Sequence, residues 1–446
     1  MSFTQYEGYR QTGADWLGLI PRHWSAARVK TLFEIRKRIA GELGHDVLSV
    51  TQQGLKVRDT ESNDGQLSMD YSKYQLVEPD DFVMNHMDLL TGYVDVSRFH
   101  GVTSPDYRVF TAREKSLSLR FFLYLFQNGY QQRIFYAFGQ GASGVGRWRM
   151  PTDSFNDFIL PVPTLSEQIA IAAFLDRETA KIDELVEEQQ RLMVLLQEKR
   201  QAVISHAVTK GLNPNAPTED SGIDWPASVP AHWEVLPLVR VVSKFVDYRG
   251  KTPTKIDEGV PLVTATQIKE GRIEHSRDPV FISEEEYAER MTRGFPEKGD
   301  VLITTEAPLG ETAQIEDERV ALGQRIILMK PNRSRITANY LFTHFRSQFG
   351  QNELWKRASG STASGIRADR LRASAVLVPP LDEQSVIVNW ITEEVKHFPP
   401  IERAIQTQIE LLRERRSALI SAAVTGKIDV RGLVETEAPI PDVVAA

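Results

Sequence analysis

Two kinds of hydrophobic patterning alternate along the chain, and each occurs twice. Short apolar runs broken by Gly, Pro and Asp turns, such as VLSV at 47, FVMN at 82, LVTA at 262, VLITT at 301 and RIILM at 325, have the length and punctuation of strands. With short helices at 117–128 and 339–348, they make segments 1–160 and 213–376 two mixed α/β heads. Segments 161–212 and 377–430 instead read as long amphipathic helices, opened by Ser166 or Asp382 and closed near Gly211 or Gly426. On the first, Ile182, Leu185, Gln189, Leu192, Leu196, Lys199 and Val203 recur at alternating spacings of three and four. Ile401, Ile405, Gln408, Leu412, Arg415 and Leu419 do so on the second. This is a coiled-coil seam, and its polar members fix register at some cost in stability. Pro399 and Pro400 fit only a first helical turn, so a shorter helix over 383–396 precedes the long one. Residues 431–446 read as a flexible tail.

The chain also repeats itself. Gly13, Asp15, Trp16, Pro21, His23 and Trp24 recur in register as Gly222, Asp224, Trp225, Pro230, His232 and Trp233. PTLSEQ at 163 recurs as PPLDEQ at 379, and EKRQAVISHAVT at 198 as ERRSALISAAVT at 414. The ends of the repeats match and the middles diverge, the pattern of a duplicated unit with a variable head. The expected architecture is therefore two α/β heads in tandem, separated by two long helices with pseudo-two-fold symmetry. The first helix leads from head one to head two and the second must bury its stripe on the first, so the pair is antiparallel. Residues 182–208 span about 40 Å as a helix, roughly 12 base pairs of duplex.

Composition narrows the function. The absence of cysteine excludes disulfides, thiolate nucleophiles and cysteine-based zinc sites. The first ten residues lack the apolar core of a signal peptide and no apolar run is long enough to span a bilayer, so a cytoplasmic, non-membrane protein is expected. The formal net charge of -7 disfavours nucleic-acid binding, but its distribution does not. From Arg325 to Arg372 ten bases meet only Glu353 and Asp369, and 98–149 is a milder basic counterpart.

Catalytic motifs fail on context. Gly139, Gly141 and Gly144 satisfy GxGxxG, but Arg147, Trp148, Arg149 and Pro151 follow where a helix should open. The GKT at 250 lacks the preceding P-loop glycine, Phe245 standing there, and the histidines show no metal-ligand spacing. No catalytic or metal residue is expected. The same glycine-rich loops suit DNA contact through backbone N–H groups, Ser143, Ser361, Thr362, Arg147, Arg149, Arg357 and Arg367, with a solvated surface loop as the alternative. Gln52, Asn85 and His86 in the first head, and Gln267, Thr304, Thr305 and Arg325 in the second, are further candidates, with turn capping as their structural alternative. Trp16, Trp24, Trp225 and Trp233 read as packing anchors, since duplex DNA offers few exposed base faces.

The doubled GxDWxxxxPxHW opening, GDVLITTEAPLG at 299, the doubled PxLxEQ and the two helix ends together resemble the specificity subunit of type I restriction-modification systems over residues 1 to about 430. The resemblance implies a target-recognition domain in each head, each reading half of a bipartite double-stranded DNA sequence, with the helices setting the spacer. It further implies two modification subunits that methylate adenine from S-adenosylmethionine and two restriction subunits that use ATP and Mg, this chain itself binding no cofactor. The first head departs from the pattern, with DDFVMNHMDLLTG where the second has GDVLITTEAPLG. A helical adaptor that never touches DNA, or a methyltransferase, are the competing readings.

Overall fold

A computed structural model describes residues 3–59, 71–141, 148–250, 252–359 and 365–433. It contains two compact units, Met1–Gln189 with Thr407–Ala446, and Gln190–Gln406. In the first, strands β1 (Phe33–Arg36), β2 (Phe82–Met84), β3 (Val94–Val96) and β4 (Arg108–Ala112) form an antiparallel sheet in the order β1-β4-β2-β3. Helix α1 (Leu119–Gln131) opens at Ser118, whose side chain accepts the Phe121 N–H. It packs Phe122 and Phe126 edge-on against Phe33, at centroid distances of 5.2 and 5.4 Å. After head one the chain enters α2 (Leu165–Lys210), a single continuous helix. No proline interrupts it, whereas its counterpart is broken.

The second head repeats the plan. Strands β5 (Val242–Asp247), β6 (Val301–Thr305), β7 (Leu309–Gln314) and β8 (Ile326–Pro331) pair antiparallel in the order β5-β8-β6-β7, the same order as in the first head. Helix α3 (Ala338–Arg346) lies where α1 does in its own unit and is likewise capped, by Thr337. Helices α4 (Leu381–Val395) and α5 (Phe398–Val424) follow, with Pro399 and Pro400 in the first turn of α5 as their missing or blocked N–H groups require.

The duplicated motifs meet one another in space. In the first unit the Glu167 carboxylate accepts from His23 Nε2 at 2.8 Å and Trp24 Nε1 at 3.3 Å. In the second unit Glu383 accepts from His232 at 2.6 Å and Trp233 at 3.2 Å. The adjacent glutamines reach the helix caps: Gln168 accepts the Ser118 N–H at 2.9 Å and Gln384 the Thr337 N–H at 2.8 Å. PxHW and PxLxEQ are therefore a clasp that locks each head to the helix that follows it, and Trp24 and Trp233 are buried as expected. Trp16 stacks on Phe158, but Trp225 is half exposed. Gly211 (φ +68°) and Gly426 (φ +75°) end α2 and α5 in the left-handed conformation that glycine tolerates. At Gly426 a Cβ would lie 2.4 Å from Pro21 and 3.0 Å from Trp24, so the residue must also be small. The opening of α2 differs from expectation. Thr164, not Ser166, caps it, exchanging hydrogen bonds with Glu167 in a capping box.

Within each unit the helices run antiparallel. In the first, Arg177 reaches the Leu433 carbonyl and Asp183 pairs with Arg416 at 2.8 Å. In the second, Arg200 faces Glu402 at 3.7 Å, while Ile204 and Val208 share a core with Ile387 and Ile391 of α4. The inward stripe is Ile182, Val186, Gln189, Met193, Leu196, Arg200 and Val203 on α2, and Glu402, Ile405, Ile409, Leu412, Arg416 and Leu419 on α5. Of the thirteen expected seam positions, seven lie on this stripe (Ile182, Gln189, Leu196, Val203, Ile405, Leu412 and Leu419). Leu185, Leu192 and Ile401 lie one residue off it and are 42 to 45% exposed. The reason is phase: spacings of three-four and four-three both fit a sequence in which Leu185 and Val186, or Leu192 and Met193, are neighbours, and only packing chooses between them.

Candidate nucleic-acid interface

In the second head the sheet register brings one end of three strands together. Asp247 at the end of β5 lies opposite Ile327, and Thr304 near the end of β6 opposite Ile326, so the residues beyond these ends converge. The Thr305 N–H donates to the Arg325 carbonyl at 2.8 Å, and the Ile366 N–H donates to the Thr305 carbonyl at 2.9 Å. Gly365 bridges both Glu306 and Ser359, which brings the end of the glycine-rich segment back to the strand end. Exposed charges crowd this point. Arg325 pairs with Glu306 at 3.1 Å, Arg367 with Asp369 at 3.4 Å, and Arg249 with both oxygens of Asp247. The Arg249 pKa is held above its usual value by the hydrogen bonds to Asp247, with Glu306 and Asp369 close enough to add to the effect.

Other candidates in this head face inward. Thr304 is fully buried and its hydroxyl accepts the Glu311 N–H at 2.9 Å, beside a break in strand register. Thr305 is buried too. Gln267 closes a capping box with Thr264 and donates to the carbonyls of Arg277 and Asp278. Arg357 donates to the buried Glu353 at 2.6 Å, which also accepts the Ala375 N–H at 2.7 Å. These four hold the head together. Their polarity is what the sequence displays, and their satisfied hydrogen bonds are what it conceals.

The first head has the same layout with different chemistry. The Met150 N–H donates to the His86 carbonyl at 2.9 Å, as Ile366 does to Thr305, and Arg149 stands exposed where its loop returns, bonded through its backbone to Gln140. Asn85 caps a turn by accepting the Met87 N–H at 3.3 Å, and the exposed Gln52 makes only a long contact, 3.5 Å, to the Thr91 carbonyl. His86 is largely buried; burial first, then the charges of Arg108 and Arg149, push its pKa down to about 4. Arg108, 4% exposed, was not singled out by sequence. Its guanidinium lies 4.4 Å over Phe155 and donates to the Met150 carbonyl at 3.1 Å, but among the described residues no carboxylate meets it and Nη1 has no partner. Burial draws its pKa down to about 10. The equivalent strand position in head two is Ile327, since Arg108 lies opposite Met84 as Ile327 lies opposite Ile303. Ser143, Arg147, Ser361 and Thr362 fall outside the described residues. Gly139, the first of the GxGxxG glycines, is where Trp148 packs closest: a Cβ there would sit 2.2 Å from the indole nitrogen. Its glycine serves packing.

Among the described residues no cluster of acidic and histidine side chains is suited to a metal, and no helix is long and apolar enough to cross a membrane. Comparison with known proteins points to one family of relatives. The family profile of the type I restriction modification DNA specificity domain matches residues 233–411. The chain is 22% identical to the type I restriction enzyme EcoBI specificity subunit of Escherichia coli, over 72% of this chain and 69% of that one. It is also 22% identical to the EcoKI specificity subunit of E. coli strain K12, over 66% and 61%. A solved chain from work on complex assembly and conformational transition of the type I R-M system shares the fold, with a TM-score of 0.65 at 15% identity over 91% of this chain and 98% of that one. Residues 233–411 thus match a type I restriction modification DNA specificity domain, and over about two thirds of its length the chain is similar to the specificity subunits of type I restriction-modification systems.

Proposed function

We propose that this chain reads a bipartite double-stranded DNA target, each head contacting one half, while α2 and α5 set the spacer and dock the modification and restriction subunits. The observation that carries the reading is the repetition: two heads with one strand order, each gathering a returning loop and exposed arginine at the same sheet end. Arginines there suit phosphate and guanine, and the divergent loops suit two different half-sites. Docking is supported by apolar side chains that the helices leave outside the seam. Leu185, Leu192, Val194 and Leu195 on α2, and Ile401 and Leu411 on α5, are 42 to 56% exposed. Rows of exposed aliphatic side chains on otherwise charged helices mark protein contact surfaces. S-adenosylmethionine, ATP and Mg belong, on this reading, to the partner subunits.

The test is to co-express the chain with the modification and restriction subunits and map methylated adenines by long-read sequencing. A single split motif that disappears without this chain, and changes on one side only when one head is exchanged, is the expected result. Methylation indifferent to the exchange would favour a helical adaptor.

A further inference from the structure

The charged cluster in head two has a composition that phosphate contact does not explain. Glu306 stands at the tip of β6, half exposed and next to the returning loop; Asp247 and Asp369 each pair with the arginine two residues away, whereas Glu306 reaches Arg325 across strands. A carboxylate aimed at a phosphate backbone is repelled, so on a surface that meets DNA it must face a hydrogen-bond donor. In the major groove the donors are the amino groups of cytosine and adenine. Adenine sets the N7 acceptor beside its amino group, which opposes a carboxylate. Cytosine sets no acceptor of its own there, and across the pair lie the guanine O6 and N7 acceptors.

Glu306 and Arg325 match that order. They project from adjacent antiparallel strand ends, with the Thr305 N–H bonded to the Arg325 carbonyl, and their side chains pair at 3.1 Å while each stays about half exposed. One acceptor group and one donor fork are thereby held side by side, as the donor and two acceptors of a C·G pair are. We infer that the Glu306–Arg325 pair is the specificity element of head two and reads one C·G base pair from the major groove, Glu306 accepting from cytosine N4 and Arg325 donating to guanine. Head one has Met87 at the position of Glu306, three residues past β2, so this element belongs to one half-site only. The ion pair also fixes both side chains before DNA arrives, so less conformational freedom is lost on binding.

The inference rests on the DNA-reading function proposed above, and methylation mapping with the partner subunits separates the two. With the wild-type chain, the half-site that changes when head two is exchanged contains a position restricted to C·G. Glu306→Gln, an isosteric change at an exposed site, relaxes that position, with discrimination falling about 5- to 150-fold, and leaves the other positions and the first half-site as they were. Arg325→Gln relaxes the same position. A second half-site without any C·G position overturns the inference, as does a Glu306→Gln subunit that assembles and methylates with unchanged sequence preference. A uniform loss of methylation at every site, with the complex assembled, also overturns it, since that marks a structural role. No split motif even from wild type defeats the DNA-reading function itself.

Discussion

The buried histidine of the second head makes its stability sensitive to acid in a way that can be calculated. His344 is fully buried beside Phe345 and Phe349, and among the described residues neither ring nitrogen makes a well-formed hydrogen bond. Burial, the larger effect, pushes its pKa from 6.5 down to about 3 against the opposing pull of the Ala375 backbone. The folded pKa is thus the lower one, so between about pH 6.5 and 3 the unfolded chain holds a proton that the folded chain does not. Stability is full above 6.5 and falls as pH falls through that window. At pH 5, one and a half units below the unfolded value, the loss is about 2 kcal/mol. For a unit of this size that is a decrease in Tm of roughly 4–8 °C. Counting from the two helix caps, Ser118 and Thr337, Leu125 is the head-one residue at this position, so His344→Leu copies a side chain already used in the same setting. Calorimetry of wild type and His344→Leu at pH 7.5 and pH 5.0 gives a double difference in which other titrations cancel. The variant should lose most of the second unit's acid sensitivity and, with two unsatisfied buried nitrogens gone, should be no less stable at pH 7.5. An equal drop between the two pH values in both proteins would refute the argument.

Three further outcomes follow from particular contacts. Glu167→Ala removes the acceptor for the buried Trp24 indole and for His23, and should cost the first unit about 2–4 kcal/mol; Glu383→Ala should do the same in the second, and a change under about 0.5 kcal/mol in calorimetry would mean that the clasp holds nothing. Arg108→Ile, which copies Ile327, removes a buried cation that no carboxylate among the described residues balances, so Tm should hold or rise by a few degrees, and a marked fall would show that the Met150 carbonyl bond outweighs the buried charge. For the assembled complex, Arg367→Ala at the exposed loop end should shallow the dependence of log affinity on log salt by about one, measured by fluorescence anisotropy on a DNA target; an unchanged slope removes Arg367 from the phosphate contacts.

The sequence by itself determined the plan of the molecule. Duplication at fixed spacing, period-two runs in the heads and a seven-residue stripe in the helices gave two α/β heads and an antiparallel helix pair, because these signals depend only on which side of an element is apolar. The prolines at 399 and 400 even placed the break between α4 and α5. What it left undecided was settled by contacts between residues far apart in the chain. The seam took a four-three rather than three-four phase, so Val186 and Met193 turned inward and Leu185 and Leu192 outward, although all four are apolar. The repeated His, Trp and Glu turned out to hold each head to its helix, a role visible only when residues more than 140 positions apart are seen to bond. The candidate interface divided in the same way. Arg149, Arg325 and Arg367 are exposed where the loops return, while Gln267, Thr304, Thr305 and Arg357 are spent on internal hydrogen bonds. A polar residue after a strand carries the same letters in either role. Only the register that brought Glu306 beside Arg325, and left Arg108 in the core without an acid, distinguishes a group free to meet DNA from one already satisfied within the fold.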